Sequence, residues 1–301
     1  MTKAIKITFI TIISIISISL ISGAIVYFTN PNIQAITDRI IAAIKNDESK
    51  LYYFPVKNLD DMSSITYEET VLQIDDKINI YTYKFPSNSL NKKADIFLIH
   101  GAGGNISKYL NQIKVLTNAG YEVHTLDWRS FGKSTGIPDY KNVLSDTKKA
   151  FELYLNKNDN DSSKTILYGM SLGGQVAIKL ASDYKSYIDG LVLDGCVESA
   201  QACAIDMAPA GFLKEKAQTN PDNFNQDYVA IRDIAMIKNT PKLIIHSEND
   251  KYVPFHRAEK LFASAQHPKL FWKSNSGHIQ SLFQQPEESI NRINQLYDMI
   301  D

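Results

Sequence analysis

Four short, mainly apolar runs mark the middle of the chain: Ala94–Ile99, Tyr121–Leu126, Thr165–Tyr168 and Ile188–Leu193. Each predicts a strand buried on both faces, and helical stretches separate them. Lys242–His246 and Leu270–Trp272 continue the series, with a helix over Pro254–Ala265 between them and another over Pro286–Ile300 at the end. Such alternation predicts an α/β fold: a mostly parallel sheet with helices on both faces and ligands bound beyond the C-terminal strand ends. Ahead of it, Thr66–Ile74 and Ile78–Phe85 flank Asp75-Asp76-Lys77 and predict an opening antiparallel hairpin. The alternation is interrupted once, at about 196–240, by apolar Met207–Leu213 and a polar stretch around Asn220–Asn223. That insertion reads either as a small helical cap over the site or as an ordinary helical excursion packed on the core.

The N-terminus departs from this pattern. Ile7 to Phe28 carries no charge, follows Lys3 and Lys6, and ends before Asn30-Pro31. At about 1.5 Å per residue it crosses the ~30 Å hydrocarbon layer. A cleaved signal peptide is the rival, but the run exceeds the usual signal core and no A-x-A site closes it. We therefore expect residues 1–30 to be a single-pass N-terminal transmembrane helix, with the basic tip cytoplasmic and the globular part extracytoplasmic. Ile33, Ile36, Ile40, Ile41 and Ile44 recur at helical spacing, so 31–65 reads as an amphipathic connector and 66–301 as the globular domain.

Charge changes the picture by exclusion. With 32 Lys and Arg against 33 Asp and Glu, the 301 residues offer no footprint for nucleic acid. Cys196 and Cys203 have neither a second pair nor clustered histidines, so no metal site is expected. Their spacing on a continuous helix exceeds disulfide reach, and two separate buried thiols are expected. Gly101-Ala102-Gly103-Gly104 lacks the last glycine of a dinucleotide fingerprint, and Gly132-Lys133-Ser134 lacks the first glycine of a phosphate loop. No cofactor is therefore called for.

The candidate chemistry gathers around Gly169-Met170-Ser171-Leu172-Gly173. A buried strand runs into small residues around a serine, and a helix follows, which is the context of a nucleophile elbow. The serine needs a base and the base an acid. His278 lies in the loop after the last strand, and Asp250 in the loop after the strand before it; Glu248 and Asp194 are the runners-up for the acid. His124, His246, His256 and His267 read as structural. The order serine, aspartate, histidine is the one expected of an α/β-hydrolase. Two N–H groups should face a developing oxyanion: that of Leu172, and that of Ala102 in the loop His100–Asn105, where His100 braces the loop.

With these motifs placed, the chain from about Thr66 onward resembles the α/β-hydrolase superfamily, in particular the branch of serine aminopeptidase-like and monoacylglycerol lipase-like hydrolases. Asp127-Trp128-Arg129-Ser130-Phe131-Gly132-Lys133-Ser134 is similar to the D-Y-R-G-F-G-x-S motif of membrane-anchored bud-emergence-type hydrolases, with Trp128 for tyrosine and Ser130 for glycine. Ala102 stands where asparagine is frequent. The resemblance implies a serine hydrolase using Ser171, His278 and Asp250 through an acyl-enzyme. The apolar part of the insertion and the apolar N-terminus favour a small-molecule or lipid-like ester or thioester. A serine aminopeptidase or amidase, and a binding protein that keeps the fold without turnover, stay open.

Overall fold

The structure is a computed structural model that describes residues 47–300, except 158–162 and 209–210, and a few isolated residues between 34 and 45. Tyr52–Asp301 groups into one compact unit, so the globular part begins earlier than the strand pattern suggested. No helix among the described residues is long and apolar enough to cross a membrane. The expected anchor, Ile7–Phe28, lies outside them, as do most of the connector's isoleucines; Ile41 is helical and exposed.

Eight strands form the main sheet: β2 (Glu68–Gln73), β3 (Asn79–Phe85), β4 (Ala94–Ile99), β6 (Tyr121–Asp127), β7 (Thr165–Met170), β8 (Gly190–Asp194), β9 (Lys242–Ser247) and β10 (Lys269–Ser274). Two short strands, β1 (Phe54–Pro55) and β5 (Gly103–Gly104), pair with each other beside it. The spatial order is β10-β9-β8-β7-β4-β6-β3-β2. β2 and β3 form the predicted hairpin, β3 runs antiparallel to β6, and every other neighbour in the sheet is parallel.

Burial explains why the sequence pattern was readable. β4, β7, β8 and β9 are buried at every residue, as central parallel strands covered on both faces must be. Edge strand β2 is half-buried on alternate residues only. On one face of the sheet pack α1 (Leu110–Asn118), α8 (Ser281–Gln284) and α9 (Pro286–Tyr297), over a core that includes Ile96, Leu98, Val123 and Ile166. The other face carries α2 (Tyr140–Lys157), α3 (Leu172–Asp183) and α7 (Phe255–Ser264), with Phe97 edge-on to Phe151 at 5.1 Å.

The insertion holds α4 (Ala200–Met207), α5 (Phe212–Thr219) and α6 (Ala230–Asp233). It is tied to the sheet unit by Arg257 on α7. That guanidinium donates to Asp206 through Nε (3.0 Å) and Nη2 (2.9 Å), and to Glu198 through Nη1 (2.9 Å). Downstream, Tyr228 Oη donates to Tyr140 O at 2.9 Å. Both cysteines are free, as two separate thiols were expected to be; Cys196 is buried and Cys203 only partly so.

Helix α3 crosses β7, β8 and β4, and its first turn comes so close to β4 that no side chain fits between them. A Cβ on Gly173 would lie 2.3 Å from Ile99 O and 2.4 Å from His100 O, both backbone atoms that cannot swing aside. We therefore expect Gly173→Ala to destabilise the domain by about 1–3 kcal/mol or more, read as a lower urea midpoint at unchanged slope.

Candidate active site

Ser171 stands between the last residue of β7 and the first of α3, at φ 52° and ψ −118°. This is strained backbone for a residue with a side chain, and such strain persists only where the surroundings over-determine it. Here they do. Ser171 N–H donates to Asp194 O at the end of β8 (2.8 Å), while Ser171 O accepts from Gly174 N–H (3.0 Å) and Val197 N–H (3.2 Å). Gly169 sits against Gly174, where a Cβ would come within 2.6 Å of its Cα. Strand and helix are thus clamped, and the serine between them takes the conformation left.

The structure brings Ser171, His278 and Asp250 together in one hydrogen-bonded line. His278 Nε2 lies 3.0 Å from Ser171 Oγ, and Nδ1 lies 2.5 Å from Asp250 Oδ2. A carboxylate can only accept, so Nδ1 carries the proton and Nε2 is left free to accept from the serine hydroxyl. The side chain of Asp250 is shielded from solvent, and its Oδ1 accepts from the N–H groups of Tyr252 (2.8 Å) and Val253 (2.9 Å). Burial alone would raise this carboxyl. The hydrogen bond and charge of His278, with the two backbone donors, outweigh it and hold the group below the ordinary aspartate value.

The loop that carries His278 is pinned by hydroxyls. Ser247 Oγ donates to Ser276 O, and Ser276 Oγ lies 3.0 Å from Ser274 Oγ and 2.9 Å from Ser281 Oγ. The exposed Tyr252 ring rests against the imidazole, centroid to centroid 5.4 Å. His246 backs the acid as the structural residue expected: Nε2 donates to Val253 O at 2.9 Å and lies 3.6 Å from Asp250 Oδ2. Of the runners-up, Glu248 is an exposed partner of Lys273. Asp194 is different. It is buried, accepts from Tyr168 Oη (3.2 Å), and its carboxyl is raised to about 7 by burial, with His278 pulling it down and Asp250 pushing it up. Its neighbour Gly195 lies against the imidazole, where a Cβ would come 3.1 Å from His278 Nδ1. Asp194 is therefore a second carboxyl within electrostatic reach of His278, and its strand-end position was the signal for it.

Leu172 is the first residue of α3, so its N–H has no partner inside the helix. Ala102 lies in the loop after β4, where Gly101 faces the serine: a Cβ there would come 3.3 Å from Ser171 Cβ. His100 is fully buried, and burial lowers its imidazole to about 4, so it is neutral. Its tautomer follows from its partners. Nε2 accepts from Trp128 N–H (3.4 Å), which leaves Nδ1–H to donate to Gly101 O (2.7 Å). The Gly101 carbonyl belongs to the peptide that carries the Ala102 N–H, so this ring braces that donor. Asp127, which opens the Asp127–Ser134 motif, accepts from Ile106 N–H just beyond it at 2.8 Å.

Known proteins resemble this chain in sequence and in fold. The family described as Serine aminopeptidase, S33 (Hydrolase_4) matches residues 91–224. Protein bem46 of Schizosaccharomyces pombe is 28% identical over 194 residues, 64% of this chain and 63% of its own. The Pyrococcus furiosus esterase Pf2001 superposes with a TM-score of 0.66 at 18% identity, over 83% of this chain and 98% of that one. A monoglyceride lipase from Saccharomyces cerevisiae does so at 0.61 and 16% identity, over 82% and 100%. Strand order, a strained serine between sheet and helix, and these similarities lead to one conclusion: the chain belongs to the α/β-hydrolase superfamily.

Proposed function

We propose that this protein is a serine hydrolase that cleaves an ester or thioester by acyl transfer. The observation that carries the reading is the Asp250–His278–Ser171 line, with the serine held at positive φ. Ser171 Oγ attacks the substrate carbonyl while His278 Nε2 takes its proton, forming a tetrahedral intermediate. Asp250 holds the imidazole in the required tautomer and stabilises the imidazolium. The N–H groups of Ala102 and Leu172 receive the oxyanion, the latter with the dipole of α3 behind it. His278 then gives the proton to the leaving alcohol or thiol as the C–O or C–S bond breaks. Water, deprotonated by the same imidazole, releases the acid and restores Ser171.

An apolar acyl group suits the partly apolar insertion, whose Met207 and Phe212 are exposed. The names esterase and monoglyceride lipase borne by two structural neighbours point the same way. A serine aminopeptidase is the second reading, on the family description. It needs a carboxylate ready to take the substrate's ammonium group. Glu198 and Asp206, the first acids of the insertion, are both engaged by Arg257, which favours the ester. In the full chain Ile7–Phe28 would anchor the enzyme with its domain extracytoplasmic.

Two outcomes test the mechanism. Wild-type protein is expected to hydrolyse short-chain p-nitrophenyl esters and to be labelled by a fluorophosphonate, and Ser171→Ala to abolish both with circular dichroism unchanged. Labelling that survives the substitution would remove Ser171 as nucleophile. Asp250→Asn keeps the shape of the side chain but disturbs the His278 tautomer, so kcat is expected to fall by roughly 10⁴-fold, measured in steady-state ester kinetics.

A further inference from the structure

The loop that carries Ala102 is rich in glycine. A side chain at Gly103 would meet nothing within 4 Å, and Gly104 has φ +87°. His100 bonds Gly101 O and Tyr109 Oη donates to Gly103 O at 2.9 Å, and the remaining ties come from a stretch that precedes the sheet, Tyr52–Asp60. β1 and β5 pair in parallel, Phe54 opposite Gly103 and Pro55 opposite Gly104. Phe54 N–H donates to Ala102 O at 2.7 Å, and Val56 N–H to Gly104 O at 2.8 Å. Asn105 Nδ2 returns two bonds, to Val56 O (2.8 Å) and Asn58 O (2.9 Å). Asp60 N–H donates to Ser107 Oγ at 2.8 Å, and the Asp60 carboxylate pairs with Lys108 at 2.6 Å.

The same stretch is itself fastened elsewhere. Val56 O accepts from Gly132 N–H at 3.0 Å, Lys57 Nζ donates to Ser134 O at 2.8 Å, and Tyr52 Oη donates to Ala200 O on α4 at 3.2 Å. It therefore joins the Ala102 loop, the Asp127–Ser134 loop and the insertion. The stretch lies wholly outside the residues matched by the family model, 91–224.

Two consecutive carbonyls now have fixed partners: Gly101 O is held by His100 and Ala102 O by Phe54. The Ala102 N–H shares its peptide with Gly101 O and its residue with Ala102 O, so its direction is set from both sides. Stabilisation of an oxyanion depends on donors already aimed when charge develops. Misplacement of about 1 Å can cost about 100-fold.

We propose that Tyr52–Asp60 is a positioning strap of the active site, in which the Phe54 and Val56 N–H groups aim the Ala102 donor at the oxyanion formed at Ser171. The inference rests on acyl transfer at Ser171 and adds residues that touch neither substrate nor the reacting atoms.

Phe54→Pro deletes the N–H that bonds Ala102 O, and Phe54→Ala, which keeps it, is the control. In the full chain, with an ester that the wild type turns over, Phe54→Pro is expected to lower kcat by about 10–100-fold with KM nearly unchanged. Affinity for an alkylboronic acid, whose tetrahedral adduct places an oxygen at the oxyanion position, should weaken by a similar factor. Phe54→Ala should stay close to wild type in both. Wild-type kcat and boronate affinity in Phe54→Pro would overturn the proposal. So would a loss confined to the fraction of Ser171 that exhaustive fluorophosphonate labelling can titrate, since that marks misfolding. If Phe54→Pro does not fold, Val56→Pro carries the test, because Val56 is exposed and little packing is lost. Failure of both to fold would make the strap a stability element and overturn its positioning role. A wild type that neither turns over esters nor is labelled at Ser171 overturns the hydrolase reading itself, and the strap's role with it.

Discussion

The arrangement depends on how closely the first turn of α3 approaches the end of β4. Gly173 lies against the carbonyls of Ile99 and His100, and Gly169 against Gly174, at separations that leave no room for a Cβ. With strand and helix so near, the one residue joining them has no helical or extended conformation available. Ser171 is forced to φ 52°, which turns Oγ to the rim of the sheet beside His278 Nε2. The backbone strain is offset by the packing of fully buried β7 and α3 residues around it.

From that point the site is built of loops, each brought by its strand to the same end of the sheet. β9 leads to Asp250, β10 to His278, β8 to Asp194 and β4 to Ala102. Separate networks fix them: hydroxyls around Ser276, backbone donors on Asp250, and the ring of His100 under the Gly101 carbonyl. Two imidazoles share one pattern, Nδ1 donating and Nε2 accepting, in different settings. His278 is only partly buried, with Nδ1–H on a carboxylate and Nε2 on the serine hydroxyl, whereas His100 is sealed and kept neutral by burial, bonded to backbone groups alone.

Much of this was legible in the sequence for identifiable reasons. Fully buried strands have no polar face, so β4, β7, β8 and β9 stood out, with ends shifted by a residue or two: β7 runs on through Met170 because the strand continues into the elbow. Ser171, Asp250 and His278, which the structure brings within hydrogen-bond distance, were legible as candidates because loops at strand ends are where an α/β sheet places chemistry. The β1–β5 pair was not found. Two residues against two, with Pro55 in one strand and only glycines in the other, leave neither alternation nor an apolar run to read, and the stretch passed as part of a connector. Asp194 was noticed, but nothing in the sequence shows that a neighbouring glycine lies against the imidazole.

Arg257 has a consequence for how the insertion can move. Its guanidinium takes Glu198 and Asp206 together, and these residues bracket α4, so the helix is riveted at both ends to α7 and through it to β9. Lifting α4 would break three charge-assisted hydrogen bonds at once, a cost that a chain without such a rivet does not carry. With Tyr228 Oη on Tyr140 O holding its far part, the insertion is fixed to the sheet unit at two places well apart in sequence.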